Sequence, residues 1–490
     1  MLNQRDSVLN GVAWVLTERL ASQGITFVLQ IILARILMPE QYGMIAMINV
    51  FIAIANVFVI VGFSAALIQK KDADELDFST LFYCSLAVGV VLYALIYLAS
   101  PAIADFYNMP ALSGITRIYA LSLIISTYNS IQRSYVSRHM LFRKFFFATS
   151  IGTFLSGIIG ISMAYTGFGV WALVAQYLSN IILNIVVLQF IVDWHPRLMF
   201  SWQRAKSLMK YGANICGATL IGTISLEIRQ LLIGKCYTAA DLSFFNRSRS
   251  IPYLIQTNVS GVINTVLFPA MSNHSDSPAV IKQMTRRSMA VTSYVMFFLM
   301  TMMAVAAQSI IILLLTEKWA PAIPYMRLVC VAYMIDIVSN ANMQALKASG
   351  RADVLFKLEF IKKPAFLIFV LIAVKISVMA VAITLPLYSI YAGLINMSPN
   401  RKVLGYGIRE QLRDLMPATF LSIAMAVAIM PFLFFEMNEF VRFSLQAIVG
   451  TAVYVGGSLL FKVDSYHYVV SILKEKISKR NSIKDNGQNY

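Results

Sequence analysis

Apolar runs long enough to cross a bilayer recur fourteen times in this chain, at about 12–37, 43–68, 79–100, 113–135, 146–166, 168–192, 210–233, 250–271, 288–315, 324–346, 356–374, 377–396, 415–435 and 443–461. Nothing constrains the fold more, because a segment in hydrocarbon must satisfy every backbone N–H and C=O internally, and runs of this length do so as helices. The expected fold class is all-α, a polytopic membrane protein of about 14 transmembrane helices. Composition points the same way: 58% of residues are hydrophobic, 13% are charged and the mean hydropathy is +0.70. A soluble domain is about one quarter charged, so an ordinary water-soluble enzyme is excluded. The first run contains Glu18 and Arg19 and is too long for the core of a signal peptide, so it is expected to stay as a span.

The formal charge of +17 invites a nucleic-acid reading, and the placement of the 40 Lys and Arg residues decides against it. With the N-terminus in the cytoplasm, 29 of them fall in the inner segments and nine in the outer ones, while Arg19 and Arg229 lie within spans. Arg133 is counted with the inner loop that follows the fourth span. This asymmetry predicts that both termini are cytoplasmic. The charge is spread over many short segments, whereas nucleic acid requires one basic face. Cys84, Cys216, Cys236 and Cys330 fall in or beside spans and read as small apolar fillers. His139, His195, His274 and His467 all fall on the inner side, and no metal site is expected.

The chain repeats itself. At an offset of 200, Arg35 aligns with Lys235, Gln30 with Gln230, Gln23 with Thr223, Arg19 with Thr219 and Asn56 with Gln256; further on, Arg117 aligns with Arg327 at an offset of 210. Two pseudo-symmetric six-helix lobes plus an extra helix pair follow. The expected divisions are 1–200 for the N-lobe with its linker, 201–400 for the C-lobe, 401–461 for helices 13 and 14, and 462–490 for a cytoplasmic tail. An even number of helices per lobe gives both lobes the same orientation. The linker over 194–210 mixes basic and aromatic residues, as a helix lying on the lipid surface would.

Polar side chains recur at helical spacing on the matched spans. Arg19, Gln23, Thr26 and Gln30 share one face, as do Thr219, Thr223, Glu227 and Gln230, and as do Arg249, Tyr253, Gln256, Ser260 and Asn264; Asn49 and Asn56 form a weaker stripe. Such groups in lipid need partners or water, so the stripes are expected to line a hydrated cleft; interhelical hydrogen bonding in a static bundle is the plainer alternative. Glu18, Arg19, Glu227, Arg229 and Asp336 are the ionisable groups away from span ends, where a charge costs at least about 2.5–3.5 kcal/mol. Neighbours on a helix diverge by about 100°, so Glu18 with Arg19, or Glu227 with Arg229, cannot pair readily within one helix. Arg19, Arg229 and Arg249 suit a phosphate, which guanidinium binds through two parallel hydrogen bonds. Glu18, Glu227 and Asp336 are candidates for binding a coupling H+ or Na+. Arg35 and Lys235, at outer helix ends, read as interfacial anchors or as partners of a helix C-terminus. No Gly-x4-Gly-Lys-Ser/Thr loop is present, so ATP hydrolysis by this chain is not expected, and the short outer loops leave little room for a catalytic surface.

Several stretches resemble the polysaccharide-transporter branch of the multidrug/oligosaccharidyl-lipid/polysaccharide exporter superfamily, in particular bacterial exporters of the colanic-acid and lipopolysaccharide type. They are ILARILMPEQYG (32–43), GFSAALIQKKD (62–72), QRSYVSRHMLFRK (132–144), GFGVWALVAQYLSN (167–180), WHPRLMFSWQRAKSLMKYG (194–212) and LFPAMS (267–272). The resemblance implies a non-enzymatic flippase of the bacterial inner membrane. Its cargo would be an undecaprenyl-diphosphate-linked oligosaccharide for lipopolysaccharide, capsule or exopolysaccharide, moved by alternating access. It also implies contact with membrane lipids and with glycan-assembly proteins such as a polymerase, and in related lipid II flippases two helices beyond twelve help hold the lipid tail. No catalytic residue and no cofactor carry over. The cleft set inferred from the stripes is Arg19, Gln23, Gln30, Asn56, Glu227, Arg229, Gln230, Arg249, Tyr253 and Gln256. The alternatives are a drug/cation antiporter of the same superfamily, which would want an acidic cleft, and a membrane glycosyltransferase or polymerase acting on the same lipid, which would want a carboxylate at the outer surface.

Overall fold

The computed structural model describes residues 23–61, 64, 67, 70, 72–192, 194–471 and 474. Glu18, Arg19 and the start of the first predicted span lie outside them. The described residues are helical throughout, without a strand. In chain order the helices are α1 (Gln23–Ile36), α2 (Pro39–Asn56), α3 (Glu75–Phe106), α4 (Ala111–Tyr119), α5 (Leu121–Arg138), α6 (Phe142–Tyr165), α7 (Val170–Ile191), α8 (Trp202–Cys236) and α9 (Ala239–Val262). They continue as α10 (Phe268–Ser272), α11 (Pro278–Val305), α12 (Ala307–Leu315), α13 (Ile323–Ala348), α14 (Ala352–Ala373), α15 (Val378–Met397), α16 (Asn400–Leu404), α17 (Ile408–Ile429) and α18 (Glu439–Leu460).

Where they are described, the predicted spans fall on helices, but the count of fourteen is not reached by length and composition: among the described residues eleven helices are long and apolar enough to cross a membrane. The other three predicted spans correspond to α1, α9 and α14. Only residues 23–36 of the first are described. α9 carries Asn246, Arg247 and Arg249 near its start, and α14 carries Lys357, Glu359, Lys362 and Lys363, so both hold too many polar groups for the apolar threshold.

The repeat survives in the element boundaries. α1 ends at Ile36 and α8 at Cys236, while α2 starts at Pro39 and α9 at Ala239, so the offset of 200 holds at both ends of the turn. α5 ends at Arg138 and α13 at Ala348, where the offset has become 210. Both α2 and α9 pass directly into a π-helical turn, at Val57–Val61 and Ile263–Leu267 respectively. Single π turns inside helices are uncommon and cluster at functional sites. By its contacts the chain divides into two compact units, 1–243 and 244–490.

In the first unit, α6 and α7 form a close pair. Their connection is the GFG of the 167–180 motif, and Gly167 and Gly169 sit at φ +83° and +57°, which only glycine adopts without cost. Small residues let the helices approach: a Cβ on Gly152 would meet Asn184 Oδ1 at 2.5 Å, and one on Gly160 would meet Gln176 Cβ at 2.6 Å. α2 meets the start of α9 as closely, since a Cβ on Gly43 would overlap the Ala239 backbone. Asp74 caps α3 by accepting from the Asp77 backbone N–H at 3.0 Å. The Asp77 carboxylate is fully buried between Lys70 at 2.6 Å and Arg204 at 3.3 Å, a desolvated anion held by two cations.

The linker is anchored at its start. Trp194 is 3% exposed and packs 5.8 Å from Phe78 and 6.3 Å from Tyr135, ring centre to ring centre. Residues from 202 onward are the first turns of α8, tied down by Arg204 to Asp74 at 2.5 Å. Trp194 and Arg204 thus serve core packing and ion pairing, while Leu198, Phe200 and Trp202 remain exposed. Lys235 matches its expected role: its ammonium donates to the carbonyl of Phe106, the last residue of α3, and lies 4.7 Å over that ring.

Candidate functional site

Within the first unit, α1, α5, α6 and α7 enclose a polar chamber of about 360 Å³. α1 contributes Thr26 and Gln30, and Gln23 lies one turn earlier on the same face. α5 contributes Asn129 and Arg133, α6 contributes Thr149 and Thr153, and α7 contributes Gln176, Asn180 and Asn184 at steps of four. That last spacing puts three amides in one row along a helix. Asn180 Nδ2 donates to Thr153 Oγ1 at 3.2 Å and to Ser156 Oγ at 3.1 Å, and Asn184 Nδ2 donates to Asn180 Oδ1 at 3.1 Å. The carbonyl oxygen of Asn129 is buried and accepts no hydrogen bond among the described residues.

Two aromatic rings border the amides. Tyr177 stacks on Tyr119 with ring centres 4.6 Å apart, and Phe145 lies 5.2 Å from the guanidinium carbon of Arg133. No lining residue is acidic, and Arg133 makes no salt bridge among the described residues. Chemically the chamber presents amide donors and acceptors, hydroxyls, an aromatic platform and one exposed cation. This set suits hydroxyl-rich or anionic ligands and lacks a carboxylate to pair with an organic cation.

Arg133 was placed in a loop on sequence grounds. It belongs instead to α5, which continues to Arg138 before Leu141 restarts the chain into α6. The positive-inside count assigns any basic residue near a span end to the adjoining loop, and a helix longer than the bilayer needs defeats that assignment.

The remaining predicted residues of this unit lie on α2 and α8. Asn56 closes α2 at the edge of the π turn, its side-chain carbonyl buried and without a donor among the described residues. On α8 the Gln230 amide donates to Glu227 at 2.7 Å, while Arg229 is only 6% exposed. Glu227 therefore finds a neutral partner one turn along, in keeping with the helical geometry that separates it from Arg229.

In the second unit the stripe of α9 runs against a second stripe on α13 that the sequence reading did not single out. Arg249, Tyr253 and Asp336 all act electrostatically on the Tyr333 hydroxyl, and Arg249 also lies 5.9 Å from the Phe245 ring. Gln256 Nε2 donates to Ser260 Oγ at 3.4 Å, and Asn264 accepts from Gln344 Nε2 at 2.8 Å; Gln344 also donates to Asn340 at 3.2 Å. Tyr333, Asp336, Asn340 and Gln344 follow steps of three and four, so the periodicity that revealed α9 would have revealed α13. Among the described residues no three of His, Cys, Asp and Glu converge as a metal site.

Long apolar helices whose faces carry rows of amides define a polytopic membrane protein. The family described as "Polysaccharide biosynthesis protein" matches over residues 32–324, and the chain belongs to that family. The matched region begins with the 32–43 motif and extends past LFPAMS, so the resemblance read from those stretches is borne out. Among curated relatives, the teichuronic acid biosynthesis protein TuaB of Bacillus subtilis is 28% identical over 309 residues, 62% of this chain and 63% of TuaB. The lipopolysaccharide biosynthesis protein WzxC of Escherichia coli is 22% identical over 440 residues, 86% of this chain and 87% of WzxC. Among solved structures, the lipid II flippase MurJ in an inward closed conformation superposes with a TM-score of 0.73 at 14% identity, covering 94% of this chain and all of that one. The fold is thus shared with MurJ.

Proposed function

We propose that this protein is a flippase of the bacterial inner membrane that moves a polyprenyl-diphosphate-linked oligosaccharide from the inner to the outer leaflet. The observation that carries the reading is the chamber of α1, α5, α6 and α7. Amides, hydroxyls and aromatic rings converge there with the cation of Arg133 and with no acid in the lining. Sugars present hydroxyls and apolar ring faces together, and a diphosphate presents anionic oxygens; neither crosses hydrocarbon unaided. The family, and relatives named for teichuronic acid and lipopolysaccharide synthesis, support a glycan as cargo.

In this reading the amides of α7 and Gln30 hold sugar hydroxyls, and Arg133 and Arg249 take the anionic groups. Arg19 and Arg229 belong to the same proposed set, as do Gln23, Asn56, Gln230, Tyr253 and Gln256. Glu18, Glu227 and Asp336 are the proposed sites for a coupling H+ or Na+, Asp336 through its closeness to Arg249 and Tyr333. Both termini face the cytoplasm on the strength of the Lys/Arg asymmetry. Glycan-assembly proteins would take the cargo after transfer.

The test is transfer itself. Purified protein is placed in vesicles with a lipid-linked oligosaccharide labelled on its sugar, and accessibility to an external glycosidase is followed. Protein-dependent exposure of inner-leaflet label supports the reading, and its abolition by Asn180→Leu ties transfer to the chamber. Formation of a new sugar bond without leaflet transfer would overturn it in favour of an enzyme.

A further inference from the structure

A second cavity lies away from the polar stripes, within the second unit, and has a volume of about 960 Å³. That is the upper end of the usual range for small-molecule sites, about 300–1,000 Å³. Its walls are apolar: Ala290 on α11, Met416 and Phe420 on α17, and Phe461 just past α18. Phe420 and Phe461 are 63% and 73% exposed, so the cavity opens on the side where the protein meets lipid. Its rim carries Arg286, Arg287, Arg413 and Lys462 against Asp414 and Asp464.

These charges are not equivalent. Arg286 is consumed by Asp414 through two hydrogen bonds of 2.8 Å, and Tyr406 donates to the same carboxylate at 2.7 Å. Arg287 lies 3.9 Å over the Tyr468 ring. Arg413 and Lys462 form no salt bridge among the described residues. Lys462 is also conformationally odd: it ends α18 at φ +48°, with Val463 N–H donating back to the Ser458 carbonyl at 3.0 Å. That is the left-handed position of a Schellman turn, normally glycine, where a side chain is strained. A strained residue that keeps a cation at the mouth of a cavity is a pointer to a ligand.

We propose that this cavity holds an anionic phospholipid of the inner leaflet, its phosphate between Arg413 and Lys462 and its acyl chain along Met416 and Phe420. The rim lies at the end of α11, α17 and α18 that the Lys/Arg asymmetry assigns to the cytoplasm, where anionic lipid attracts basic side chains. The lining contains none of the amides seen in the chamber of the first unit, and its polar groups are confined to the rim, which fits a small headgroup above an acyl chain. The occupant is thus assigned as a resident lipid, and competition with a polyprenyl phosphate separates it from the cargo.

Native mass spectrometry of the purified protein, titrated with dioleoylphosphatidylglycerol or dioleoylphosphatidylcholine, tests this. One phosphatidylglycerol is expected to stay bound per chain, with phosphatidylcholine released. Two charges near the phosphate set the expected weakening in R413Q/K462Q at about thirtyfold. Lys462→Gly separates charge from folding, because it relieves the left-handed strain: the melting temperature is held or raised while phosphatidylglycerol binding weakens about fivefold. Ala424→Phe, which fills the wall without touching a charge, is expected to displace the lipid. Equal retention of the two phospholipids overturns the proposal, as does wild-type binding by Lys462→Gly and Ala424→Phe together. Displacement of phosphatidylglycerol by equimolar undecaprenyl phosphate would also overturn it, by assigning the cavity to cargo.

Discussion

Asn184 donates its amide to the side-chain carbonyl of Asn180 at 3.1 Å, and Asn180 spends its own amide on Thr153 and Ser156. A single residue thus fixes the row of α7 to α6 on the wall of the chamber. Hydrogen bonds between membrane helices average only about 0.6 kcal/mol each, so losing these three costs little stability. Asn180→Leu is expected to leave protein level in the membrane and melting temperature near wild type while surface glycan falls below a tenth. Glycan staining and quantitative blotting of the same complemented deletion strain check this; normal glycan would remove the chamber from the mechanism.

Arg133 is the one cation lining the chamber, and its charge should matter more than its bulk. Arg133→Lys keeps charge but loses bidentate geometry, and is expected to transfer cargo roughly tenfold more slowly. Arg133→Gln is expected to be slower again, and Arg133→Glu inactive. Initial rates of vesicle transfer rank the three; equal rates for Gln and Glu would mean that no anionic group passes this point.

Gly43 leaves no room for a side chain, because a Cβ would overlap the Ala239 backbone. Backbone cannot rotate aside, so Gly43→Ala must separate α2 from α9, at a cost of about 1–3 kcal/mol. Gly456 on α18 has nothing within 4 Å, and Gly456→Ala should instead stabilise by about 0.4–1 kcal/mol. Thermal unfolding in detergent should move in opposite directions for the two variants.

Much of this was legible beforehand. The turn between α1 and α2 and that between α8 and α9 were aligned by Arg35 with Lys235, and the helix boundaries keep that offset. Stripes on α1, α8 and α9 were visible because they coincide with the repeat. The row Gln176, Asn180 and Asn184 has the same period but no polar counterpart in the other half, so a search guided by self-similarity passed over it. Arg133 was hidden for another reason: sequence hydropathy locates a span but not how far its helix runs beyond the bilayer. The lipid cavity needs α11, α17 and residues after α18 to converge, and no local pattern encodes that.

Asp74 gives an acid-side signature outside the spans. Its hydrogen bond from the Arg204 guanidinium holds the carboxyl at about 2, below an ordinary value of 3.8. A depressed carboxyl stabilises the folded state above its unfolded value, so this contribution is complete above about pH 4 and is lost as pH falls through about 2. Asp74→Ala also removes the cap of α3, worth about 1 kcal/mol. Melting temperature against pH should therefore drop less steeply in the variant than in wild type below pH 4; parallel curves would deny the pairing.

Asp336 and Arg249 both act electrostatically on the Tyr333 hydroxyl. If it carries a coupling proton, Asp336→Asn should transfer cargo at a rate independent of an imposed pH gradient, while Arg249→Ala should abolish transfer under all gradients. A gradient response retained by Asp336→Asn would move the coupling role to another carboxylate.

The π turns at Val57–Val61 and Ile263–Leu267 carry one more residue than the α-helical turns they replace. Every side chain beyond such a turn is advanced by about 100° relative to an unbroken helix. Asn264 lies within the second of these turns and accepts from Gln344 there. Expelling the surplus residue would turn the following segment by the same angle while re-forming backbone hydrogen bonds one step along. Each half of the chain thus carries, directly after its second helix, a surplus residue whose expulsion would give rotation without unwinding.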